Sequence, residues 1–292
     1  MGSFSILNNI SGLTAQNQLN CNNTNLVRTL TRLSTGKRIN TGADDAAGLQ
    51  IADSLRANTF ALNQAVRNAN DGIGVAQIAD GALQEITNLL TRSVTLTEQA
   101  ATDTVDSTGR ASLNAEFAAI EAEIARIAES TNFNGTNIFG SGADDINGEL
   151  AIFVGDINGN SSIAVSFGTI SANASAGEVT DIGGTGTPIG LNGVSLTSAQ
   201  SAKDSFDDIK TALNAVSNMR ASIGAGMNRL SSAVLVLQTQ AQNASAAEST
   251  IRDANFAEEV ANMTRFQILA QSGMAALAQA NSSSQNVLNL LK

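Results

Sequence analysis

Apolar residues recur along most of this chain at alternating steps of three and four. From Phe206 the positions Ile209, Leu213, Val216, Arg220, Ile223, Met227, Leu230, Val234, Leu237, Ala241, Ala244, Glu248 and Ile251 keep that spacing without a break, which is the seam of a coiled coil. One helix is predicted there, roughly 70 Å long at about 1.5 Å per residue. After a register shift at Asp253, a second series runs through Phe256, Val260, Met263, Gln267, Ala270, Met274, Leu277, Asn281, Ser284, Leu288 and Leu291. The N-terminal half mirrors this. Ile6, Ile10, Leu13, Leu19, Leu26, Leu30 and Leu33 mark one helix. Leu62, Val66, Ala69, Ile73, Ala76, Ala79, Leu83, Ile86, Leu90 and Val94 mark another, and Leu113, Phe117, Ile120, Ile124 and Ile127 a third. Each end of the chain is the natural packing partner of the other.

The middle breaks the pattern. "ELAIFVG" and "SSIAVSFG" flank "DINGN", and Ile163, Val165 and Phe167 alternate with Ala164 and Ser166, which predicts a β-hairpin on a Gly, Asn and Asp turn. Residues 168–198 turn to Ser, Thr, Gly and Ala around Pro188, the only proline, and read as a surface loop. The predicted fold is mainly α: long coiled-coil-like helices from both termini packed together, with a small β-hairpin region between them. The predicted domains are 1–40 with 254–292 (terminal helices), 41–139 with 199–253 (helical rod), and 140–198 (hairpin and loop).

Composition narrows the function. The 292 residues are 42% hydrophobic but only 3% aromatic, with no Trp or Tyr, so the buried residues are mostly Ala, Leu, Ile and Val, as suits helix seams. A net charge of −10 argues against nucleic acid, whose sequence-independent affinity needs clustered Lys and Arg. With no His and Cys21 as the single cysteine, zinc sites and His-dependent nucleophilic catalysis lose their usual residues together. No cofactor is expected. No run approaches the length of a membrane span, and "MGSFSILNNISG" lacks the basic and apolar regions of a cleaved secretory signal.

Several short motifs invite chemistry and fail on detail. "STGKR" resembles a phosphate-binding loop, but Thr31 and Arg38 stand where a glycine and a hydroxyl are needed. "GIGVAQ" at Gly72 lacks the third glycine and preceding strand of a dinucleotide fingerprint and reads as a helix position of close backbone approach. Asp144, Asp145, Asp156, Asn158 and Asn160 lack the calcium-loop spacing and suit turns. Asp44 and Asp45 could form a catalytic carboxylate pair, but they precede "AAGLQIADSL", where acidic residues cap a helix. The stretch "LSTGKRINTGADDAAG" is then a joint: Gly36 ends one helix, Thr41 or Asp44 starts the next, and Lys37 and Arg38 meet the negative end of the first.

The stretches "LSTGKRINTGADDAAGLQIADSL", "RNANDGIGVAQIADGALQEI", "STNFNGTNIF" and "AEEVANMTRFQILAQSGMAALAQANSSSQNVLNLL" closely resemble the bacterial flagellins, over about the first 140 and last 90 residues in order. The resemblance implies a structural subunit that polymerises into the flagellar filament for swimming motility outside the cell, with little or no outer variable domain. It implies an inner pair of terminal helices whose assembly residues include Ile6, Ile10, Leu13, Phe256, Val260, Met263, Leu277, Leu288 and Leu291. Leu33, Lys37, Arg38, Asp44, Asp45, Asn70 and Asp71 would form the linker and subunit interface. The implied partners are further copies of the chain in a helical homopolymer, an export chaperone at the C-terminal helix, and the filament cap and hook-associated proteins, with export by the flagellar type III route.

Two rivals share some of this logic. A hook-filament junction protein or another secreted coiled-coil assembly protein would have similar ends but would not form long fibres alone. A filament-borne metalloprotease needs an HExxH-type insert, which a chain without His cannot supply. The resemblance also places Arg92, Leu96 and Glu123 where detected family members meet the flagellin-sensing Toll-like receptor. Thr91, Val94 and Thr95 depart from the usual residues, implying weak recognition. The alternative reading of Arg92 and Glu123 is plain solvated helix-face charge.

Overall fold

The computed structural model describes residues 9–140, 145–146, 148–155, 162–173, 178–182, 191 and 194–290. Among the described residues five helices follow in chain order: α1 (Ile10–Thr35), α2 (Ala46–Ala100), α3 (Ser107–Ser130), α4 (Ala199–Arg252) and α5 (Phe256–Leu290). Short antiparallel strand pairs lie between α3 and α4: β1 (Asn132–Phe133) with β2 (Thr136–Asn137), β3 (Glu149–Phe153) with β4 (Ser162–Ser166), and β5 (Ile170–Asn173) with β6 (Glu178–Ile182).

Local chemistry sets the helix ends. The Asn9 side chain accepts from the Gly12 N–H at 2.9 Å and caps α1, and Gly36 closes it in the left-handed conformation at φ 70. Asp45 opens α2 by accepting from the Gly48 N–H at 2.9 Å, so neither Thr41 nor Asp44 is the cap. Asp106 opens α3 in the same way. Arg110 then turns back to donate to the Ala100 and Thr102 carbonyls, satisfying acceptors at the end of α2.

The chain divides into two compact units, residues 1–59 with 242–292 and residues 60–241, and α2 and α4 contribute to each. In the first, α1 packs on α5. The α1 face turned inward carries Gly12, Ala15, Leu19, Asn22, Leu26, Thr29 and Leu33, a continuous three-four spacing. Gly273 of α5 comes against Leu19, where an added Cβ would lie 3.4 Å from Leu19 Cδ1.

The second unit has the larger core. Leu83, Ile86 and Leu90 of α2, Phe117 and Ile124 of α3, and Ile209, Val216, Ile223 and Leu230 of α4 meet Ile138, Phe139, Val165 and Phe167. The β3–β4 register pairs Leu150 with Val165 and Ile152 with Ile163, which places these four apolar residues on one face and Ala151, Ala164 and the exposed Phe153 on the other. That face seats on two helix glycines. An added Cβ at Gly72 would collide with the Ile152 side chain, and one at Gly226 would lie 2.7 Å from Val165 Cγ1. Gly72 thus makes room for a hairpin side chain rather than for a second helix backbone.

The stretch read as surface loop is partly core. Ile170, Leu191 and Leu196 are buried. The Leu196 N–H donates to Asn114 Oδ1 at 2.9 Å and the Ser195 N–H to Ser205 Oγ at 3.3 Å, which ties this segment to α3 and α4. The apolar residues of this Ser- and Gly-rich stretch are too irregularly spaced to register as a period, yet Ile170, Leu191 and Leu196 are buried.

Candidate assembly surface

The joint between α1 and α2 pairs with the joint between α4 and α5. Lys37 and Asp253 form an antiparallel bridge. The Arg38 N–H donates to the Arg252 carbonyl at 2.7 Å, and the Ala254 N–H to the Gly36 carbonyl at 2.9 Å. The Arg38 guanidinium donates to the Ile251 carbonyl at 2.8 Å, so it serves the C-terminal end of α4 and not, as its position in the chain suggested, that of α1. The register shift at Asp253 is therefore half of a two-stranded clasp.

Charges surround the clasp. Arg32 reaches Glu259 of α5 at 3.4 Å and Asp44 at 3.8 Å, and Arg28 reaches Asp44 at 3.8 Å. Arg252 bonds Asp53 at 2.9 Å, with Glu248 at 4.0 Å. Burial opposes ionisation of Asp44, but hydrogen bonds from the Thr41 N–H, the Thr41 hydroxyl and the Asn40 N–H, with the nearby Arg32 charge, outweigh it. They hold its carboxyl below the usual carboxylate range. Among the described residues the Asp44 carboxyl accepts from donors and faces cations, the setting of a structural acceptor. Asp45 is spent on the helix cap.

Outside the clasp, the terminal helices show water much of their apolar surface. On α1, Ile10 is 69% exposed and Leu13, Val27 and Leu30 also face outward. On α5, Phe256 is 57% exposed, joined by Val260, Ile268, Leu269 and Met274. Exposed apolar residues of this size, arrayed along two adjoining helices, mark a surface that another molecule covers.

The residues singled out from the sequence fall in three places. Ile10, Leu13, Phe256 and Val260 are on the outward faces, whereas Leu33 is half-buried on the α1 face turned to α5, and Met263 and Leu277 are half-buried on α5. Lys37, Arg38, Asp44 and Asp45 are gathered at the clasp, while Asn70 and Asp71 are exposed on α2 in the other unit. Ile6 and Leu291 lie outside the described residues, as do Asp144, Asp156, Asn158 and Asn160, and of Leu288 only the backbone is described. Among the described residues no three His, Cys, Asp or Glu side chains gather as a metal site, and no helix is long and apolar enough to cross a membrane.

The receptor-facing set needs one correction. Leu96 is fully buried in the core, because the outward positions of this α2 turn fall on Thr95 and Glu98. Arg92 donates through Nε and Nη2 to Glu116 Oε1 of α3 at 2.9 and 2.7 Å. Glu123 accepts from Arg126, a hydrogen bond that holds the Glu123 carboxyl low and the Arg126 guanidinium high. Sequence spacing missed the Arg92–Glu116 pair because α3 returns beside α2 only after the turn at 101–106.

The chain is similar to known proteins along most of its length. The bacterial flagellin N-terminal helical region matches residues 6–143, and the bacterial flagellin C-terminal helical region matches residues 206–291. Flagellin FlaB1 of Treponema pallidum is 35% identical over 98% of this chain and 99% of its own length. The flagellin of Halalkalibacterium halodurans is also 35% identical, over 98% of this chain and 99% of its own. The crystal structure of Bacillus cereus flagellin covers 62% of this chain and 94% of its own, at 25% identity and a TM-score of 0.46. With both helical regions present in order and relatives matched from end to end, the chain belongs to the bacterial flagellin family, a family of structural proteins.

Proposed function

We infer that the chain is a structural subunit of a bacterial flagellar filament, polymerising with copies of itself outside the cytoplasm to serve swimming motility. The observation that carries this is the run of exposed apolar residues along both terminal helices, from Ile10 and Leu13 on α1 to Ile268 and Met274 on α5. A solitary monomer gains nothing from that arrangement, and a helical homopolymer buries it. The clasp at Lys37 and Asp253 fixes the two helices to each other, so both present their outward faces from one unit. The chain is read as carrying no catalytic role, since Asp44 and Asp45 are engaged as capping and structural acceptors. Electron microscopy of purified protein seeded with filament fragments tests the reading. Long fibres are expected, and failure to extend seeds would favour a junction protein instead.

Export by the flagellar type III route, delivery by a chaperone that holds α5, and contact with the filament cap and hook-associated proteins are proposed on the strength of family membership. Engagement of the flagellin-sensing Toll-like receptor is proposed to be weak. Leu96 is buried, and Arg92 and Glu123 are each tied to a partner within the chain, Glu116 and Arg126. Anchors that must first exchange such partners contribute less to binding.

A further inference from the structure

Side chains that a mild oxidant attacks are few in this chain. With no Trp, Tyr or His, one Cys and five Met, its oxidation chemistry is that of sulfur. The internal methionines are unequally shielded. Met219 is 6% exposed in the core of the second unit, Met227 and Met263 are half-buried, and Met274 of α5 is 55% exposed.

Met274 also stands alone. Over residues 270–283, about four turns of α5, the large apolar residues are Met274 and Leu277, and Leu277 is half-buried. The neighbours of Met274 are Gln271, Ser272, Ala275 and Ala278. Gly273 is turned to Leu19 of α1, which sets Met274, one residue on, at the flank of the α1–α5 pair. The outward apolar contact of these turns therefore rests on one unbranched thioether open to solvent. Earlier on α5 the same load is shared among Phe256, Val260, Ile268 and Leu269, none of which carries an oxidisable sulfur.

We propose that Met274 is a redox switch on assembly: in the free chain a hydroperoxide such as hydrogen peroxide converts its thioether to the sulfoxide, and the oxidised chain no longer joins the polymer. The proposal rests on the filament reading and adds a covalent control to it. The Met274 sulfur attacks a peroxide oxygen, the O–O bond breaks, the oxygen stays on sulfur, and a proton shift releases water. Sulfur is oxidised and the peroxide reduced. The new oxygen is a strong acceptor, and the side chains of Ala275 and Ala278 offer it no donor. Covering it with another apolar surface leaves it unpaired, which costs more than burial of the thioether contributed. Thiol-dependent reduction removes the oxygen as water and resets the chain. A Met274 already covered in a polymer is out of reach, so the switch acts on the subunit before it is incorporated.

Treating the full-length monomer with hydrogen peroxide tests this, with oxidation mapped by peptide mass spectrometry and assembly read by seeded polymerisation and sedimentation. Met274 is expected to oxidise about tenfold faster than Met219 or more. Treated chains should show a critical concentration about tenfold higher or more, because the sulfoxide must be buried unpaired. Methionine sulfoxide reductases for both epimers should restore the parent value. Met274→Leu, close in volume and without sulfur, should polymerise equally before and after treatment. Met274→Gln, polar at similar length, should polymerise poorly with no oxidant at all, and Cys21→Ser should stay as sensitive as the parent. Oxidised chains that assemble like the parent would overturn the proposal and leave the filament reading standing. So would sensitivity that survives in Met274→Leu or disappears in Cys21→Ser. If untreated Met274→Leu does not polymerise, the reductase arm decides: recovery in step with loss of the Met274 sulfoxide supports the switch, and no recovery overturns it. An untreated parent that extends no seeds would overturn the filament reading itself, and the proposal with it.

Discussion

Gly224 and Gly226 lie two residues apart on α4 and should respond oppositely to the same substitution. An added Cβ at Gly224 meets nothing within 4 Å, whereas at Gly226 it would lie 2.7 Å from Val165 Cγ1, 3.0 Å from Cγ2 and 3.3 Å from Cβ. Alanine in a helix interior is favoured over glycine by about 1 kcal/mol, so Gly224→Ala should stabilise the chain by about that amount. At Gly226 the same gain is opposed by overpacking, which costs about 1–3 kcal/mol in a tight core. Val165 is a branched side chain, 1% exposed, on a paired strand, so the upper part of that range applies. Gly226→Ala should therefore be about 1 kcal/mol less stable than the parent, leaving about 2 kcal/mol between the two variants. Urea unfolding of the monomer followed by far-ultraviolet circular dichroism resolves a difference of that size. Val165→Ala in the Gly226→Ala background should recover part of the loss, as a double-mutant cycle would show. Equal stabilisation by both glycine substitutions would refute the seating of the hairpin on α4.

Four further outcomes are expected. The Asp44 carboxyl is held below its ordinary value, so its contribution is complete above the unfolded value near 3.8 and fades as pH falls through the lower folded value. Filaments of Asp44→Asn should be less stable than parent filaments at pH 6, with the gap closing as pH falls below 3.8, and a constant gap would argue against the Thr41 and Asn40 hydrogen bonds and the Arg32 contact. Deleting 256–292 should abolish seeded fibre growth and chaperone binding, while deleting only 174–190 should leave growth intact. Leu196→Ala should cost about 2–5 kcal/mol of monomer stability as a core cavity, and less than 1 would return that segment to the surface. In a receptor reporter assay the monomer should be a weak activator, weaker still as Arg92→Ala. Full family potency unchanged by that substitution would show that another surface is read.

The sequence pattern located the helices well and their faces less well. On α4 the positions Ile209, Val216, Ile223, Leu230 and Leu237 are buried at the spacing the heptad predicts. The intervening seam position is rotated by one residue: Ala212, Met219 and Gly226 face the core, while Leu213 and Met227 are only half-buried. A pattern search follows the larger side chain, but a hairpin pressed on the helix requires the smaller one. The clasp was invisible for a different reason. Lys37 and Asp253 are more than 200 residues apart, and their bridge and the Arg38–Arg252 bond use backbone groups that every residue type carries. Gly36, by contrast, was legible because a left-handed helix end favours glycine. On α1 and α5, periodicity could not separate the face turned to the partner helix from the face left outside, since Leu19 and Leu26 face inward while Leu13 and Leu30 face outward.

The central claim is that the outward faces of α1 and α5 are covered by other copies of the chain. Within one chain, α1 buries only Gly12, Asn22 and Thr29 fully. Ordering each residue costs roughly 1–2 kcal/mol, so the free unit is weakly held. Hydrogen exchange measured residue by residue on monomer and filament tests this most directly. Amides of 10–33 and 256–283 should exchange rapidly in the monomer and become strongly protected in the filament, while the core of residues 60–241 is protected in both. Strong protection of the terminal helices already in the monomer, or none gained on assembly, would contradict the account.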